Sequence, residues 1–158
     1  MARTAASPQK QLDGFIAKYE PTLAAQAKKV LRKMRERLPG AIEMVYDNFN
    51  WLVIGFSPTP RPSEAIFSVV LVPSGWVTLC FLRNGAKLED PKKLLRGSGK
   101  RIRNIRLEAA SDLETPPIAA LITQSLKLAG DPFDPSAPRK LVIRAISKKQ
   151  KPRRPKKA

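Results

Sequence analysis

Two hydrophobic periods divide this chain. From Ser7 to Leu38 apolar residues recur every three or four positions, the spacing of one helix face. Ser7-Pro8 opens a first helix carrying Leu12, Phe15, Ile16 and Tyr19 on one side, with Gly14 as its weak point. Pro21 restarts a second helix, striped by Leu23, Ala27, Val30, Leu31, Met34 and Leu38. Its basic run at 28–37 falls on the opposite, solvated face, and Pro39-Gly40 stops it. Beyond Gly40 the period shortens to two. Residues 41–46 and 51–56 read as strands joined by the turn-rich corner Asp47-Asn48-Phe49-Asn50. Residues 57–64 hold three prolines and read as loop. Residues 65–72 and 76–82 form a hairpin around Pro73-Ser74-Gly75, and 102–109 supply a fifth strand. Thr115-Pro116 starts a last helix with Ile118, Leu121, Ile122, Ser125 and Leu126 inward, ended by Gly130.

This order predicts an α+β fold: two N-terminal helices and one C-terminal helix packed on a mostly antiparallel five- or six-stranded sheet. The 158 residues suit one domain. Residues 1–8 read as a flexible N-terminus and 9–130 as the domain. Residues 131–147 read as a linker, rich in Asp-Pro, with a possible edge strand at 141–146. Residues 148–158, basic and proline-bearing, read as a disordered tail. No apolar run approaches the roughly 20 residues that span a bilayer, and no secretory leader is visible, so the expected compartment is the cytoplasm.

Charge adds a direction to this picture. The formal net charge is +17, and it is unevenly spread. Residues 87–106 carry eight basic groups against two acids, and residues 139–158 carry ten against none. Such an excess points to a polyanion, nucleic acid first, met through the basic surface and tail. The central stretch LEDPKKLLRGSGKRIRNIR (88–106) has Asp90-Pro91 as a helix start, Leu94 and Leu95 to bury, and Gly97-Ser98-Gly99 as a break. Gly97, Ser98, Gly99, Lys100, Arg101 and Arg103 are therefore anion-binding candidates; the same residues also describe an ordinary basic corner. A nucleotide-hydrolysing phosphate loop is excluded, because Leu94 and Arg101 stand where it needs Gly and Ser or Thr. A dinucleotide fingerprint fails at Ile102.

The motif LEDPKKLLRGSGKRIRNIRL (88–107), with VYDNFNWLVIGFSP (45–58), resembles the YdhG-like family, small bacterial domains of unknown function. Weaker likeness extends over RPSEAIFSVVLVPSGWVTLCFL and the closing RKLVIRAISKKQKPRRP. The resemblance implies a compact α+β fold with helices on an antiparallel sheet. Some relatives are described as frataxin-like iron chaperones, which would imply a metal or small-molecule carrier. This chain departs from that pattern in its charge sign and at Asn104, where relatives often have His.

Catalytic chemistry is poorly supplied. The chain has no His, so no Ser–His or Cys–His pair exists, and a non-catalytic binding module is the leading expectation. Cys80, the only cysteine, lies in an apolar run and reads as a small buried core residue. No cofactor is expected and no metal ligands are assigned. The acid pairs Glu89/Asp90 and Asp131/Asp134 are explained by capping and turns. A second candidate site is the aromatic corner, where Tyr46, Asp47, Asn48 and Trp51 could line a small-molecule pocket. The competing reading sends alternate aromatics to the core and leaves Asp and Asn to the turn.

Overall fold

The computed structural model describes residues 6–154. Ser7 caps helix α1 (Pro8–Ala17), its hydroxyl accepting from Lys10 N, so the ordered chain begins before Gln9. Residues 1–5 and 155–158, parts of the expected flexible ends, lie outside the described residues. Helix α2 (Pro21–Arg37) follows after a short break, and its amphipathic stripe is the one the sequence spacing marks. Strands β1 (Ile42–Asp47), β2 (Leu52–Ser57), β3 (Phe67–Val72), β4 (Trp76–Phe81) and β5 (Arg103–Leu107) come next, then α3 (Pro116–Leu128) and β6 (Lys140–Ile146). Among the described residues the fold is α+β, with three α-helices and a six-stranded mixed sheet of order β5-β4-β3-β2-β1-β6. Every neighbouring pair is antiparallel except β1 and β6, which run parallel.

A single core joins the helices to one face of the sheet. Leu12, Ile16, Ala27, Val30, Leu31 and Met34 from α1 and α2 meet alternate strand residues such as Val45, Ile54, Val69 and Leu79. Phe67 and Phe81, register partners on β3 and β4, meet edge to face with ring centroids 5.6 Å apart. Tyr19, just beyond α1, is fully buried, and its hydroxyl bridges two strands. It accepts from Leu52 N at 3.0 Å and donates to Leu71 O at 3.2 Å. Tyr19→Phe leaves both backbone groups without that partner, so it should cost about 1–3 kcal/mol in urea unfolding. Burial also pushes the Tyr19 phenol up. The neutral form is thus favoured in the fold: its stabilisation is intact below the ordinary value of about 10 and lost as pH rises through the higher folded value. The melting temperature should fall between pH 9 and 11, less steeply in Tyr19→Phe.

Two expectations are corrected. No helix follows Asp90-Pro91. Asp90 does accept from Leu94 N (2.9 Å) and Leu95 N (2.8 Å), but Lys93 takes φ +53° and turns the chain away. Arg96 then pairs with Asn104 in both directions, so residues 97–102 form a loop closed on β5. The second correction concerns the C-terminal segment. Residues 148–154 are not a loose tail but lie across the β1–β2 corner. Ser147 N donates to Asp47 O, Lys151 N to Phe49 O, and Gln150 Nε2 to Asp47 O, at 2.8–3.0 Å. Arg153 is 5% exposed and donates to Asp47 Oδ1 at 3.0 Å and to the Asn48 carbonyl.

The reason lies in β1. Ala41, Glu43, Val45 and Asp47 alternate onto the helix side, which buries two carboxylates completely. Each needs cations to offset its desolvation. Arg35 and Arg139 hold Glu43, at 2.8 and 2.6 Å; Lys18 and Arg153 hold Asp47, at 3.1 and 3.0 Å. The β6 region and the segment after it are thereby fastened to β1 at two points.

Candidate functional site

On the other face of the sheet, among the described residues, no residue of α1, α2 or α3 lines the recess over the middle strands. The strand registers lay out its rows. The β2–β3 register ends at the Leu52–Leu71 pair; Trp51 immediately precedes it, and Val72 pairs with Trp76. The next row runs Tyr46, Val53, Val70, Thr78, Arg106, and the next Met44, Gly55, Ser68, Cys80, Asn104. Part of this face is roofed. Gly55 has Ala65 Cβ within van der Waals reach of where its own Cβ would stand, and Met44 is 2% exposed. The remainder forms a groove of about 510 Å³ with Val53, Val70, Thr78 and Cys80 on its floor. Trp51 and Trp76 stand at one end, and Ile102 and Asn104 line another part of its wall. No acidic side chain lines it.

The cation that lines the groove, Arg106, sits against one of its aromatics. The Arg106 guanidinium lies 4.8 Å from the centroid of the Trp76 ring. Trp51, 42% exposed, also borders a second recess of about 380 Å³ closed by Lys151, Pro152 and Arg154. The anchored C-terminal segment therefore delivers positive charge to the tryptophan end of the sheet. Among the described residues Arg106, Lys151 and Arg154 form no salt bridge. Arg154 donates instead to the carbonyls of Lys18 (3.2 Å) and Ala17 (3.4 Å) at the end of α1. Lys151 Nζ stands 5.8 Å from the Phe49 ring centroid.

The aromatic corner does not form the pocket its composition offers. Tyr46 and Asp47 are adjacent in a strand, so their side chains leave opposite faces. Tyr46 lies on the open face, while Asp47 is sealed on the helix side by Lys18 and Arg153. Asn48 lends its carbonyl to Arg153. Only Trp51 of the four lines the groove. Gly97, Ser98, Gly99, Lys100 and Arg101 are exposed on the loop beyond it. Arg103 is turned back, its Nη1 donating to Gly99 O (2.6 Å) and Ile102 O (2.9 Å), so this guanidinium ties the loop's own carbonyls.

Cys80 is half-buried on the open face, not in the core shared with the helices. The sequence signal was its phase: it alternates with Leu79 and Phe81, which point inward. Burial pushes its thiol up, which lowers the thiolate fraction near neutral pH. Alkylation should be several-fold slower in the native protein than in denaturant at pH 8, with the gap narrowing as pH rises. Equal rates at pH 8 would contradict this placement. Of the acids considered for metal, Asp90, Asp131 and Asp134 have their carboxylates engaged locally, while Glu89 is held through its backbone. Glu89 exchanges backbone bonds with the Gln124 amide, Asp131 pairs with Lys127, and Asp134 accepts from Ser136 N and Oγ. No group of three or more Cys, Asp or Glu side chains with metal-holding geometry occurs among the described residues. No helix among them is long and apolar enough to cross a membrane. Scans against protein-family models, curated proteins and solved structures gave no match.

Proposed function

We propose that this protein is a non-catalytic binding module for a polyanion, nucleic acid in the first place, acting in the cytoplasm. The proposal takes the chain as a YdhG-like domain on the motif residues 45–58 and 88–107. The observation that carries it is the fate of the charges. Glu43 and Asp47 are consumed inside the fold, and Glu114 and Asp131 are matched by Lys33 and Lys127. Lys100, Arg101 and Arg106 by β5, and Lys140, Arg144, Lys148 and Lys149 by β6, stay exposed. These two groups flank opposite edges of one sheet. Phosphates bound there would release counterions, which makes affinity strongly salt-dependent. The chain has no His, and its one thiol is pushed towards the neutral form.

The test is fluorescence anisotropy of labelled random oligonucleotides across a salt series. Neutralising four to six phosphates of a single strand predicts a slope of about −3 to −4 in log affinity against log salt. Absence of binding even at low salt would overturn the proposal. A carrier of metal or small molecules, the other expectation, has less support, because Tyr46 and Asp47, two of the residues assigned to its pocket, face opposite sides of β1.

A further inference from the structure

We infer that the groove on the open sheet face is a platform for single-stranded nucleic acid, with bases stacked on Trp51 and Trp76 and phosphates held by Arg106 and Lys151. This rests on the polyanion reading and adds to it the site, the strandedness and the path. Three observations carry it. The first is the pair of tryptophans: Trp51 immediately precedes β2 and Trp76 opens β4, with β3 between those strands. Strands β2 and β4 lie about 10 Å apart, two strand spacings, and each indole springs from the end of one of them. One ring clamped between two indoles needs planes only about 7 Å apart, two van der Waals gaps. At the wider spacing each indole takes its own base, as successive bases of one strand require.

The second observation is charge complementarity. Among the described residues the groove has no acidic lining; Arg106 lies over Trp76, and Lys151 lines the adjoining recess that Trp51 also borders. Apolar floor residues Val53 and Val70 suit base faces, while Ser68, Thr78 and Asn104 offer donors and acceptors at base edges. The third observation is shape. The groove is a recess spanning four strands, about 14 Å, and not a protruding helix or ribbon of the kind that enters a major groove. A duplex also hides its base faces from an indole. An unpaired strand exposes both its bases and its phosphates, which is what the aromatic and cationic positions match.

The experiment compares a labelled 15-nucleotide single strand with the matched duplex by anisotropy at low salt. The proteins are wild type, Trp51→Ala, Trp76→Ala, Trp51→Phe, and Lys148→Gln/Lys149→Gln as a charge-only reference. Wild type should favour the single strand at least tenfold. Each Trp→Ala change should weaken single-strand binding about 5- to 150-fold while leaving duplex binding and the salt slope unchanged. Trp51→Phe should recover most of the loss, and the lysine pair should flatten the slope for both ligands. An independent reading uses wild type alone: Cys80, on the groove floor, should alkylate several-fold more slowly with the single strand bound. Oligonucleotide binding that ignores both tryptophans and leaves Cys80 unprotected overturns this inference and leaves the polyanion reading standing. A preference for duplex also overturns it. No binding of either ligand overturns both. An apolar dye that protects Cys80 where oligonucleotides do not would assign the groove to a small ligand and overturn it too.

Discussion

Asp47→Ala should destabilise the fold by about 3–5 kcal/mol, read as a lower urea midpoint with an unchanged slope. Asp47 is 0% exposed and Arg153 5% exposed, so neither has water to fall back on. Removing the carboxylate leaves the guanidinium buried beside the Tyr19 ring, 5.8 Å from its centroid, without a counter-charge. It also frees Lys18, which is largely solvated and loses little. Arg153→Ala should cost less, because Lys18 still pairs with Asp47 from the solvent side. Exchanging both residues for apolar ones of similar size should cost least, since a buried pair contributes far less than its broken half costs. A shift below about 1 kcal/mol for Asp47→Ala would contradict the clamp. The same reasoning governs truncation. Ending the chain before Lys148 removes Arg153 and should lower stability as well as charge, so a truncated protein confounds folding with binding.

Gly40→Ala should cost about 3 kcal/mol or more and lower the melting temperature by well over 5 °C. Gly40 ends α2 and sends the chain into β1 with φ +80°. A Cβ there would stand 2.0 Å from Asp134 O and 3.3 Å from Ala137 O, both backbone atoms of the segment leading to β6. The left-handed conformation costs an L-residue about 1–2 kcal/mol, and the overlap must push that segment off the end of α2. Gly14→Ala is the control. Its Cβ would meet nothing within 4 Å on the exposed side of α1, so it should gain up to about 1 kcal/mol. Similar thermal shifts for both changes would show that the approach of residues 134–137 to Gly40 is not formed.

Periodicity made most of the architecture legible. The Pro8 and Pro21 starts, the α2 stripe and the hairpin at Pro73-Ser74-Gly75 emerge within a residue or two of their positions in the sequence reading. The failures have identifiable causes. At Asp90-Pro91 the expected helix cap does not form: Asp90 accepts from Leu94 N and Leu95 N in a turn, and the apolar pair Leu94-Leu95 is too short to hold a helix against the pull of Arg96 into a bridge with Asn104. The C-terminal segment was misread because composition alone prices its cations as solvated. The counter-signal was present in β1: Glu43 and Asp47 fall in phase with Ala41 and Val45, and a carboxylate in phase with the core needs a cation from elsewhere in the chain. The strand period also contains the reason that Tyr46 and Asp47 cannot share a pocket. The groove itself was not legible. Trp51 and Trp76 become neighbours only through β3, and no local spacing reveals a register between strands.

The most direct measurement is a two-dimensional ¹H–¹⁵N spectrum of the full chain titrated with an unlabelled single strand. The indole N–H signals of Trp51 and Trp76 report on the groove separately from every backbone amide. The account predicts that both indoles shift together with amides of Val53, Val70 and Thr78, while amides of α2 and α3 stay in place. Shifts confined to the exposed cations of β6 and residues 148–149, with both indoles unmoved, would contradict it.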